Sequence, residues 1–157
     1  MGIYPLILSG IFFGVILAGY LWGVLGVRSP AKVGVVVVTG AGAFLIAGFA
    51  MILVGIGQIT HHSGPLADLI LRFVIAGTVG GGLVSMGFLV SLPGPREATR
   101  VVAEMLLCAV AGGLLGAAAA MLQDPLHPSL SQLPLGAVWQ AGMAVVLVLI
   151  ADATKDT

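Results

Sequence analysis

Charge is scarce in this sequence. Lys, Arg, Asp and Glu together make up 8% of 157 residues, while 59% are hydrophobic; a soluble domain carries about 25% charged residues. The shortage excludes an ordinary soluble fold, because a chain this short buries only part of its surface and the remainder would be apolar and wet. Basic and acidic residues balance at six each, so no basic tract points to nucleic acid and no acidic tail acts as a solvating arm. The single cysteine, Cys108, excludes an intramolecular disulfide and a thiolate cluster; inside an apolar run it reads as a small core residue.

What is present is long apolar runs. A hydrocarbon layer of about 30 Å needs about 20 residues of helix. Five stretches are expected to span it: 4–27, 33–59, 66–92, 101–122 and 135–151. The predicted fold is therefore an all-α, polytopic transmembrane bundle forming a single domain over 1–157, with four spans as the alternative. The β-branched run Val35 to Val38 would favour a strand in water, but strands rarely exceed about ten residues. A membrane barrel would also alternate polar and apolar positions. Lipid demands that each span satisfy its own backbone, which favours helices. The first run has no basic residue before Arg28 and is too long for a signal segment, so it reads as a retained helix. Leu6 stands where a myristoylation motif requires Ser or Thr.

The connections are short and rich in breakers: Arg28-Ser29-Pro30, His61-His62-Ser63-Gly64-Pro65, Pro93-Gly94-Pro95 and a longer stretch from Asp124 to Pro134. With five spans, Arg28, Lys32, Arg96, Arg100 and Lys155 share one side, and only Arg72 belongs to the other half. The bias of basic residues towards the cytoplasm puts the N-terminus outside and the C-terminus inside, in what reads as a bacterial or archaeal cytoplasmic membrane. Tyr4 and Trp139 fall near the outer boundary on this reading, Tyr20 and Trp22 near the inner one.

Glycine is the other abundance, with 24 residues. In lipid the hydrophobic effect gives helices no net attraction, and small residues allow the close contact that does. Gly10 and Gly14 mark a small face on the first span, Gly80, Gly81 and Gly82 on the third, and Gly112 and Gly116 on the fourth. These are the predicted packing positions. Gly80 to Gly82 is also the best place for a local helix break, since each glycine weakens a helix by about 1 kcal/mol relative to alanine. No strand precedes it and no Lys-Ser/Thr follows, so it is not a phosphate loop.

Few polar groups remain to carry chemistry. Asp68 and Arg72 lie four residues apart on the third span, acid first, which favours a pair on one helix face or a contact with a substrate, lipid headgroup or partner. Glu97, Arg100 and Glu104 share a face that Cys108 and Gly112 continue. Glu104 is the deepest carboxylate, either a proton-relay group or the partner of Arg100. Asp68, Arg72 and Glu104 are thus the candidates for an ion or proton path. His61, His62 and His127 fall on one side and are weak candidates for metal or haem, because no fixed spacing or acidic partner accompanies them. Gln140 is expected to make an interhelical hydrogen bond. No nucleophile–base motif is visible, and no motif indicates a cofactor.

Two glycine-rich hairpins in tandem invite comparison with the duplicated proteolipid of rotary ATPases. That family carries a carboxylate at mid-membrane. The deep positions here are Gly, Ala, Leu and Val, so the pattern departs from it at the residue that matters. The expected function is a non-catalytic subunit of a larger membrane complex, such as an energy-converting or electron- or ion-transferring one, acting in scaffolding and helix packing. The alternative is a small homo-oligomeric transporter or channel for an ion or small solute. The expected partners are the lipid bilayer and other membrane subunits or further copies of the chain, with no nucleic acid.

Overall fold

A computed structural model describes residues 3–58, 65–122 and 128–153. These residues form five helices: α1 (Ile3–Gly23), α2 (Pro30–Gln58), α3 (Pro65–Ser91), α4 (Ala98–Met121) and α5 (Pro128–Ala153). Four of them, α2 to α5, contain apolar stretches long enough to cross a membrane, and α1 contributes a shorter one, Ile7–Gly23. The architecture is that of a multi-pass membrane protein whose outer surface meets the lipid bilayer.

Proline sets the starts of α2, α3 and α5. At the first helical position its missing N–H has no intrahelical partner to lose, and its fixed φ already suits the helix. Ahead of Pro30, the Ser29 hydroxyl oxygen lies 3.5 Å from the Lys32 N–H, in the manner of an N-cap. At the other end of that connection Gly26 adopts a left-handed φ of 67°. The chain can then fold back so that the Val27 N–H donates to the Leu21 carbonyl at 2.9 Å. The fifth helix begins at Pro128 rather than at Leu135; the prolines and polar residues that resemble a loop occupy its first turns.

The first four helices run antiparallel to their neighbours, with α3 between α2 and α4 and α1 against α2. The register is fixed by contacts along each seam. Gly40 and Phe44 of α2 lie against Gly10 of α1, and Val37 lies against Gly14. Thr39 of α2 fits over Gly87 of α3, and Arg72 of α3 lies over Gly55 of α2. On the α3–α4 seam Gly77 faces Gly112, Gly81 faces Cys108 and Gly116 faces Phe73. α5 docks on α4 and also reaches α1: Gln140 donates to the Ser9 hydroxyl at 2.6 Å and lies 3.3 Å from the Ser9 carbonyl.

The core collects Phe13, Leu17 and Leu21 of α1, Val84, Phe88 and Leu89 of α3, Cys108 of α4, and Met143 and Leu147 of α5. Gly80, Gly81 and Gly82 do not break α3, which is helical throughout. Their lack of side chains is used for contact instead. A Cβ on Gly81 would sit 2.5 Å from the Cys108 carbonyl oxygen, and one on Gly80 would sit 3.3 Å from the Trp139 ring. The outward faces are apolar, with Val38, Phe49 and Leu53 on α2 and Leu106, Val110 and Leu114 on α4 each more than half exposed, as acyl chains require of their neighbours.

Candidate functional site

The polar side chains cluster at two levels of the bundle. The larger cluster lies at the end formed by the α1–α2 and α3–α4 connections and the C-terminus of α5. α4 starts after Pro95 and carries Arg100 and Glu104 one turn apart, so the spacing alone brings them together. Arg100 Nε donates to Glu104 Oε1 at 3.0 Å. The second oxygen, Oε2, accepts from Arg96 Nη1 at 2.7 Å. Arg96 lies before the helix, and its side chain is as sheltered as that of Glu104, at 12% and 13% exposure against 40% for Arg100.

In this geometry Glu104 is engaged from both sides. Each carboxylate oxygen is bound by a guanidinium, and charge-assisted bonds of this length are the strong ones. Glu104 lies about 9 Å along α4 from Ala98, at a depth where a lone carboxylate would be costly and a doubly paired one is not. The triad ties the α3–α4 connection to the first two turns of α4. A second tie crosses to α2: Lys32 Nζ donates to the Leu92 carbonyl at 3.2 Å, and Ser91 Oγ lies 3.0 Å from the Lys32 carbonyl and 2.7 Å from that of Gly87. Beside it Arg28 stands over the Trp22 ring at 5.2 Å, a cation–π contact suited to a bilayer boundary. One turn beyond Glu104 along α4, Cys108 is buried next to Ser85, and Ser85 Oγ donates to the Gly82 carbonyl at 2.8 Å.

At the opposite end Arg72 lies about 10 Å along α3 from Pro65 and turns its guanidinium onto α2. Gly55 provides the room: a Cβ there would sit 2.8 Å from Nη1 and 2.9 Å from Cζ. Arg72 Nε is buried with no hydrogen-bond partner among the described residues. Asp68, one turn earlier, is half-buried and engaged in an interaction of its own. His61, His62 and His127 lie outside the described residues. Among the described residues no three His, Cys, Asp or Glu side chains converge as a metal site would require.

Sequence reasoning missed the parts played by Trp139 and Arg96. The position of Trp139 predicted an aromatic at the membrane boundary. The structure places Trp139 between helices, where its indole N–H donates to the Gly112 carbonyl at 3.1 Å. Its ring centroid lies 6.0 Å from that of Phe13 and 5.5 Å from that of Phe44. One α5 side chain therefore touches α1, α2 and α4, and it also lies over Gly77 and Gly80 of α3. The neighbouring small residues on α3 were the available signal, since an indole needs such a floor to enter a helix bundle. Arg96 was missed because a loop residue has no helical phase from which to read a partner.

Compared with protein-family models, curated proteins and solved structures, the chain matches none of them.

Proposed function

We propose that this chain is a non-catalytic membrane subunit that associates through α1 and α2 with other membrane helices in a larger complex. The observation that carries the reading is an imbalance among the glycines. Those at the α1–α2, α2–α3 and α3–α4 seams are each covered by a neighbouring helix. Gly19 of α1 and Gly34 and Gly42 of α2 have nothing within 4 Å of where a Cβ would be. Glycine inside a helix costs about 1 kcal/mol relative to alanine, and at these three positions no contact among the described residues offsets that cost. Small residues on a lipid-facing surface allow a further helix to approach closely.

Two features of the candidate site support a holding role over a catalytic or conducting one. Glu104 is engaged through both oxygens, and the polar ties at its end join connections to helix starts instead of lining a path. The basic residues Arg28, Lys32, Arg96 and Arg100 belong to connections and helix starts at one end of the bundle, which supports a cytoplasmic assignment of that end. With α1 as a fifth span, the N-terminus then lies outside.

Extraction in mild detergent tests the reading. The expected result is elution in an assembly well above the 15.8 kDa of one chain, with other polypeptides at fixed stoichiometry. Gly34→Leu with Gly42→Leu should release the chain as a folded monomer. A wild-type chain that elutes alone would overturn the proposal. A homogeneous self-oligomer that moves an ion into liposomes, with flux lost in Glu104→Gln, would establish the transporter alternative.

A further inference from the structure

We infer that Arg72, seated over Gly55, is a binding site for a phosphate group, and that a membrane phospholipid supplies it. The argument starts from a charge that cannot be removed. A guanidinium stays protonated at any physiological pH and offers five N–H donors in a planar fork. In a membrane, water does not complete its hydrogen bonds, so intramembrane arginines are found paired. Here Nε is buried without a partner among the described residues, and Arg72 is absent from the ion pairs that those residues form with one another. With Nε enclosed, the edge left to an incoming anion is the pair of Nη groups, whose two parallel N–H bonds match a phosphate.

Depth favours a lipid as the source. α3 has 27 residues, so it is about 40 Å long and extends beyond a hydrocarbon layer of about 30 Å at both ends. Arg72 then lies a few ångströms below the boundary, and its long side chain reaches back towards it. The guanidinium lies level with Gly55, three residues before the last residue of α2, Gln58. This is the level of lipid headgroups. In the same turns Ile52 and Ile56 of α2 and Leu71 of α3 are exposed, so apolar surface suited to an acyl chain adjoins the charge. Gly55 completes the seat, since any side chain there would push the guanidinium away from α2.

The inference concerns the end of the bundle opposite the Glu104 cluster and does not depend on membership in a complex. Its test uses the full chain purified in mild detergent, with phosphatidylglycerol as probe, read by native mass spectrometry. Wild-type protein should retain one phosphatidylglycerol per chain through delipidating washes. Arg72→Gln should reduce that occupancy at least tenfold, Gly55→Ala should reduce it with the charge still present, and Arg28→Gln should leave it unchanged. Thermal stability with inorganic phosphate separates the two sources. Stabilisation by phosphatidylglycerol but not by millimolar phosphate supports the lipid; equal protection by both would keep the phosphate site and overturn the lipid assignment. Equal lipid occupancy in wild-type and Arg72→Gln protein would overturn the site itself. So would a dimer lost in Arg72→Gln, which would make a second copy the partner of the guanidinium. If Arg72→Gln does not fold, Gly55→Ala and Arg72→Lys decide the matter, since each keeps the charge and spoils the fork or its seat.

Discussion

α4 meets α3 through bare backbone, but it meets α5 through side chains. On the α3 side Gly77 and Gly112 face each other so closely that a Cβ on either would overlap the other's carbonyl, and Gly81 and Gly116 repeat the arrangement one turn along each helix. On the α5 side contact is carried by the Trp139 indole on the Gly112 carbonyl and by Leu115 over Gly142. The first seam gains dispersion contact over its whole length and leaves no room for change. The second concentrates its attachment on one large ring and a few polar atoms. Both are answers to the same difficulty, which is that lipid solvates apolar side chains as well as another helix does.

The contrast breaks most readily at the close seam. Gly112→Leu forces an isobutyl group into the Gly77 backbone, where no side chain can rotate aside. Overpacking of this kind costs about 3 kcal/mol or more, and the helices must separate to relieve it. The expected outcome is loss of the cooperative unfolding transition, followed by circular dichroism during titration of mixed micelles with a denaturing detergent. A normal transition would show that the seam is looser than the backbone distances indicate.

At the α5 seam the effects should be graded. Trp139→Ala removes a ring shared by four helices and is expected to destabilise by about 3 kcal/mol, near the lower end for large aromatic truncations. Trp139→Phe keeps much of the ring and loses the indole bond to Gly112, a change of about 1 kcal/mol. Gln140→Leu removes the tie to Ser9 and should cost about 0.6 kcal/mol, the usual size of an interhelical hydrogen bond in lipid. The same micelle titration ranks all three. An order in which Gln140→Leu exceeds Trp139→Ala would mean that α5 is held by polar bonds and not by its aromatic anchor.

Much of this arrangement is legible in the sequence, and the illegible parts share a cause. The helices follow from the lengths of apolar runs between Pro and Gly breakers, so α1 to α4 begin and end within a few residues of expectation. Gly77, Gly81, Gly112 and Gly116 announce small faces by their four-residue spacing. What spacing does not contain is the partner of each face, because a helix reports its own phase and not its neighbour's. Arg100 and Glu104 are readable as a pair since both lie on one helix. Arg96 completes the cluster from a loop and is not readable. Trp139 has the composition of a boundary aromatic, and only the gap left by glycines on α3 turns it inward. The missing partner of Arg72 Nε is a property of three dimensions alone.

The most direct measurement compares alanine at covered and uncovered glycines in the single, detergent-dissociated chain. Gly77→Ala and Gly112→Ala each place a methyl against a backbone carbonyl, while Gly34→Ala and Gly42→Ala place one in open space. The unfolding free energy should fall by about 1–3 kcal/mol at the first two. It should hold or rise by up to about 1 kcal/mol at the second two, because alanine is the better helix former. Shifts of the same sign and size at all four would contradict the claim that glycine contacts between neighbouring helices hold this bundle together.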